Sequence, residues 1–216
     1  MELSFLFLVL PFFIYWCINE KVGLQLCIVF LLSIWTIFLY RYIGDKLPFN
    51  MDIRWIIIAV IFCGYLLLHK KIDAVLALGG GIRAYMITTA AVSFLMIIYR
   101  PGLETVLPAG VLLGIGAGYC MNKKYVGFNC SDVLERKGIL RILTLAARFF
   151  IGIAVLAIIT YRVEKVIEQL PESQNIFLYC FLCYAVYGLW VSIAAPWLFI
   201  KMRLAGSKIT GTERKE

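Results

Sequence analysis

Residues 22–40 read VGLQLCIVFLLSIWTIFLY, nineteen side chains without a single charge. A helix of that length rises about 28 Å at about 1.5 Å per residue, close to the ~30 Å hydrocarbon core of a bilayer. A helix on the surface of a soluble domain shows an apolar stripe and a polar face, whereas this one is apolar all round. Six further runs are predominantly apolar, with at most two charges each: Leu3–Cys17, Ile53–Leu68, Ala74–Ile98, Leu103–Met121, Ile139–Thr160 and Ile176–Ile200. Leu3–Cys17 and Ile53–Leu68 are short for a full crossing. Of the 216 residues, 62% are hydrophobic and only 16% charged, against about 45–50% and about 25% in soluble chains. The mean hydropathy is +0.90. The expected fold is all-α, a polytopic integral membrane bundle of about seven helices over residues 1–204. Residues 205–216 form a polar cytoplasmic tail, expected to be disordered from Gly206 onward.

The net charge of +8 therefore concerns loop placement and lipid headgroups, and nucleic acid is not an expected partner. With the C-terminus inside, thirteen lysines and arginines lie on the cytoplasmic side, among them Lys123, Lys124, Lys201 and Arg203, against six opposite. The positive-inside rule then places the C-terminus and the Asn122–Gly138 loop, Cys130 included, in the cytoplasm of a multi-pass cell-membrane protein. No secretory leader is expected at Met1-Glu2-Leu3.

Most of the unusual residues have structural readings. Six of the seven cysteines lie in or beside apolar runs, where the thiol acts as a small hydrophobe. Cys180-x-x-Cys183 has no neighbouring ligand residues, and no metal or cofactor is expected. Gly110, Gly114 and Gly118 form a small-xxx-small face for close helix approach. Gly79-Gly80-Gly81 reads as a hinge, since no Lys-Ser or Lys-Thr follows it. Arg83, about nine residues inside its run, is either a functional intramembrane charge or a snorkelling side chain, and the second is preferred. Arg148 is expected to snorkel at an interface. Trp190, Trp197, Tyr184 and Tyr187 suit interface anchors and helix contacts.

Four stretches resemble a bacterial branch of the type 2 phosphatidic acid phosphatase superfamily. PFFIYWCINEKVGLQL, from Pro11, is similar to its "LPLIYWCVDKRLGLRL" opening. The run from Ser33 resembles the helix before its first motif. Gly110–Phe128 resembles a Gly-rich helix and its "ERRYVRF"-like turn, here NKKYVGF from Asn122. YGLWVSIAAPWLF, from Tyr187, resembles the "GLWVSLLAPWLF"-like final helix.

The resemblance implies a truncated copy with degenerate catalytic motifs. The family's first motif is Lys, six residues, Arg-Pro. Here Arg41 precedes Leu47-Pro48, the spacing is short by one, and Lys46 is the remaining nearby cation. The Pro-Ser-Gly-His motif is absent. The third motif, Ser-Arg, five residues, His, three residues, Asp, survives as His69 and Asp73, with Phe62 and Cys63 at the Ser-Arg positions. In the family one histidine attacks phosphorus and a second protonates the leaving oxygen. A single histidine cannot be nucleophile and general acid in one step, and this chain has one. The phosphate clamp has also fallen from three cations to one or two.

No intact catalytic set is therefore expected, and Arg41, Lys46, His69 and Asp73 are vestigial candidates. The expected function is that of a degenerate phosphatase-like membrane protein that binds membrane lipids or a lipid phosphate, or scaffolds a membrane protein or a second copy of itself. The alternative is a membrane phosphatase with residual activity on a lipid or isoprenoid phosphate. A transporter is disfavoured, because the spans lack acidic residues along a path. One apolar run, Ile53–Leu68, lies between Arg41 and His69. If it crosses the bilayer, those two residues stand more than about 15 Å apart, over half the rise of sixteen helical residues.

Overall fold

The computed structural model describes residues 2–44, 82–99, 101–133, 138–169 and 176–207. Helix α1 spans Glu2–Cys17 and α2 Glu20–Gly44; α3 spans Ile82–Tyr99 and α4 Leu103–Met121. A π-helical turn, Asn122–Val126, leads to a two-residue strand β1 (Phe128–Asn129) and a 3-10 turn, Cys130–Val133. Helix α5 runs from Ile139 to Gln169 and α6 from Ile176 to Leu189. A second π-helical turn, Trp190–Ala194, joins α6 to α7 (Ala195–Lys201), and strand β2 is Gly206–Ser207.

Four stretches among the described residues are long and apolar enough to cross a membrane: Glu20–Leu39, Leu103–Val126, Ile139–Val166 and Ile176–Lys201. The chain is thus a helical membrane protein. The expected run Leu103–Met121 coincides with α4 residue for residue. Helix α5 outlasts its apolar run Ile139–Thr160, because helix formation needs no apolar face where side chains are solvated. The exposed Lys165 caps the ring of Tyr161, one turn earlier, at 4.8 Å. The Ile53–Leu68 run lies outside the described residues, as do residues 74–81 of the next run with their glycine triplet. Arg83 is the second residue of α3.

Helix α4 is the centre of the bundle, packed against α2, α3 and α6. Its glycines set those distances, as their spacing implied. A Cβ on Gly110 would lie 2.7 Å from the Phe181 carbonyl oxygen of α6, and one on Gly114 would run into the Ala185 carbonyl. Gly188 on α6 returns the close approach toward Val111 and Ile115. Gly116, on another face, makes room for Thr89 of α3. Beside it Ser93 of α3 donates to the Ala109 carbonyl at 2.6 Å.

The tail expectation needs one correction. Gly206 and Ser207 are ordered, pairing antiparallel with Asn129 and Phe128, and the Ser207 hydroxyl donates to the Val126 carbonyl at 2.7 Å. Backbone groups leaving α7 find partners in the loop that follows α4, which a polar composition does not reveal. The 122–133 loop and the end of α7 therefore share one end of the bundle. Residues 208–216 lie outside the described residues.

Candidate functional site

Three of the stretches that carried the resemblance meet at this end, and a proline explains how. Pro196 has no N–H, so the Ser192 carbonyl four residues earlier lacks its α-helical donor. The π-turn directs the Ala195 N–H to Trp190, which leaves the Val191 carbonyl without a helical partner too. Two adjacent buried carbonyls thus need donors from elsewhere.

Helix α1 and the turn after α4 supply them. Tyr15 Oη donates to the Ser192 oxygen at 3.0 Å, and Trp16 Nε1 to the Val191 oxygen at 2.9 Å. Asn122 Nδ2 donates both to the Ser192 oxygen (2.9 Å) and to Tyr15 Oη (3.2 Å). Its own Oδ1 accepts from the Phe128 N–H at 3.3 Å, and its carbonyl accepts from the Gly127 N–H at 2.7 Å. Gly127 adopts φ +62, a left-handed turn open to glycine at little strain. Tyr15, Trp16, Asn122 and Ser192 are all essentially excluded from solvent. The Trp16 ring stands edge-on to Phe199, and a Cβ on Gly152 of α5 would strike it.

Arg148 corrects the expectation of a snorkelling side chain. It lies level with the ends of α1 and α7, yet it is turned inward and wholly buried. Nε and Nη2 donate to the Leu204 carbonyl at 3.1 and 2.7 Å, and Nη1 to the carbonyls of Trp16 (3.1 Å) and Cys130 (3.3 Å). The guanidinium also lies 5.6 Å from the Phe128 ring centroid. Trp16 belongs to the last turn of α1 and Leu204 follows α7, so the cation meets carbonyls at the negative ends of two helix dipoles. The rigid fork reaches three chain segments at once, which a lysine ammonium cannot do with the same geometry.

Cys130 is likewise buried rather than exposed in a polar loop, and its thiol donates to the Ile18 carbonyl at 3.6 Å. Burial raises that thiol above its ordinary value. Asn19 caps α2, its Oδ1 accepting from the N–H groups of Lys21 and Val22. Lys123 forms an ion pair with the neighbouring, nearly buried Glu20.

Most donors of the knot go to backbone carbonyls. Arg148 belongs to the residue type that clamps phosphate, but it has no exposed surface with which to meet one. Among the described residues, no three His, Cys, Asp or Glu side chains form a group that could hold a metal. Of the vestigial candidates, Lys46, His69 and Asp73 lie outside the described residues. Arg41 stands near the end of α2 and its side chain is not described. The separation expected between Arg41 and His69 therefore falls outside the described residues as well. The knot of Tyr15, Trp16, Asn122, Arg148 and Ser192 was not anticipated. Its available signal was Pro196, four residues after Ser192 in an otherwise helical run.

No curated protein matches the chain, and no solved structure does. Residues 106–207 match a family model, and the match ends on the second residue of β2. It covers every part of the knot except Tyr15 and Trp16. The family is described as the PAP2 superfamily phosphatase, transmembrane extension, and this stretch of a phosphatase-like membrane protein is similar to it, which supports the PAP2 superfamily.

Proposed function

We propose that the chain is a catalytically degenerate relative of the PAP2 phosphatases, one that keeps the membrane scaffold and has lost the phosphoryl-transfer chemistry. It acts by binding membrane lipid, including a lipid phosphate, or by scaffolding a membrane partner or a second copy of itself. It crosses the cell membrane about seven times with its C-terminus in the cytoplasm. The carrying observation is the single histidine, His69. Nucleophile and leaving-group acid need two proton-handling groups, and only His69 and Asp73 keep the spacing of the third motif. The likeness found by comparison, over residues 106–207, contains no histidine. It supports a shared scaffold and carries no catalytic residue with it.

The spacing of His69 and Asp73, with Arg41 and Lys46 nearby in sequence, favours one second reading: residual phosphatase activity on a lipid or isoprenoid phosphate. Trapping the intermediate separates the two. Purified protein mixed with phosphatidate labelled at phosphorus and quenched in alkali is expected to carry no covalent label. An acid-labile label that disappears in His69→Ala would establish the residual enzyme.

A further inference from the structure

The end of the bundle that holds the knot also carries exposed lysines seated on exposed aromatic rings. Lys124 Nζ lies 5.0 Å from the centroid of the Tyr125 ring, and Lys201 Nζ 4.9 Å from that of Trp197. Tyr125 is 64% and Trp197 51% exposed. Both lysines are exposed as well, and so is Lys21 in the first turn of α2. The two pairs belong to neighbouring segments: α7 packs on the Asn122–Val126 turn, and Ser207 hydrogen-bonds to Val126. Trp197 and Lys201 are four residues apart on α7 and so share the face that continues the spanning helix α6. An amphipathic ring beneath a cation, at the end of an apolar helix, belongs at the level of the lipid headgroups.

Among the described residues, the acidic side chains near this end do little to offset that charge. Glu20 is nearly buried and taken up by Lys123. Asp132 is half-buried, its carboxylate 3.1–3.2 Å from where a Cβ on Gly206 would stand. The opposite half of α5 offers a contrast. Lys165 lies over Tyr161 in the same four-residue spacing, but exposed Glu164 is its immediate neighbour.

We propose that this collar, Lys124 with Tyr125 and Lys201 with Trp197, is a binding site for the headgroup of an anionic phospholipid of the surrounding leaflet. The phosphodiester accepts from the two ammonium groups, and the rings fix the glycerol level. The site rests on the chain crossing a bilayer and is independent of any phosphatase chemistry.

The test uses the full chain in phosphatidylcholine nanodiscs containing a minority of phosphatidylglycerol, released and weighed by native mass spectrometry. Wild type is expected to retain phosphatidylglycerol over phosphatidylcholine. Each lysine near an anionic surface contributes a factor of about five. Lys124→Gln and Lys201→Gln should each lower that preference about fivefold, and the double variant should lower it further, with wild-type melting temperatures. Lys165→Gln should leave it unchanged. Equal retention of the two lipids by wild type, an unchanged preference in both single variants, or an equal fall in Lys165→Gln would each overturn the proposal. If the double variant fails to fold, the single variants decide. None of these outcomes bears on the trapping experiment at His69.

Discussion

Removing the indole N–H of Trp16 leaves the Val191 carbonyl buried without its donor, a loss of about 1–3 kcal/mol. Trp16→Phe is therefore expected to lower the melting temperature in detergent even though an aromatic ring remains against Phe199. Arg148→Met should do more. It strips charged donors from the carbonyls of Trp16, Cys130 and Leu204 together, and each buried acceptor left unpaired costs about 1–3 kcal/mol. Arg148→Lys should fall between wild type and Arg148→Met, since one ammonium keeps the charge but not the fork. The measurement is a set of melting curves under one detergent condition, and the expected order is wild type, Arg148→Lys, Arg148→Met. Arg148 was legible in sequence only as a charge near a span end. Whether such a residue snorkels or turns inward depends on carbonyls contributed by residues 16, 130 and 204, and no local pattern contains those.

At the scale of elements the helices were the readable part, because bilayer thickness imposes a length and an all-round apolar character that composition displays directly. Leu103–Met121 emerged with matching ends, and its glycine spacing correctly implied a close-packed face. That face distinguishes two substitutions of equal size. Gly114→Ala meets the backbone of Ala185 and Gly188, which cannot swing away, whereas Gly116→Ala meets the Thr89 side chain. Gly114→Ala is expected to be the more damaging, by about 1–3 kcal/mol of overpacking, as read by thermal melting. The break between α6 and α7 was not foreseen, although Pro196 announced it. Restoring an N–H by Pro196→Ala gives the Ser192 carbonyl a donor within its own helix. Tyr15→Phe should then cost less in the Pro196→Ala background than in wild type. A double-mutant cycle measures that coupling, expected to be about 0.5 kcal/mol or more for groups in one network.

For the whole molecule, the strand pair and Arg148 place the 122–133 loop and the start of the tail at one end, as the two intervening spans require. The proposed placement of that end in the cytoplasm rests on the basic bias alone. Cys130 cannot report it, since burial alone protects its thiol. Exposed positions serve better. Arg141→Cys near the start of α5 should escape a membrane-impermeant thiol reagent in intact cells, and Glu164→Cys near the other end should react. The reverse pattern would invert the topology.

We propose that the likeness to the PAP2 phosphatases is one of scaffold and not of reaction. Within the matched stretch, Asn122, Arg148 and Ser192 knit helix ends together, and the proposed loss of phosphoryl transfer rests on the single histidine of the chain. Phosphate release by purified wild type, on phosphatidate, diacylglycerol pyrophosphate and undecaprenyl pyrophosphate, compared with His69→Ala under the same conditions, tests this most directly. The two proteins are expected to be indistinguishable on all three substrates. Turnover by wild type on any of them that His69→Ala abolishes would contradict it.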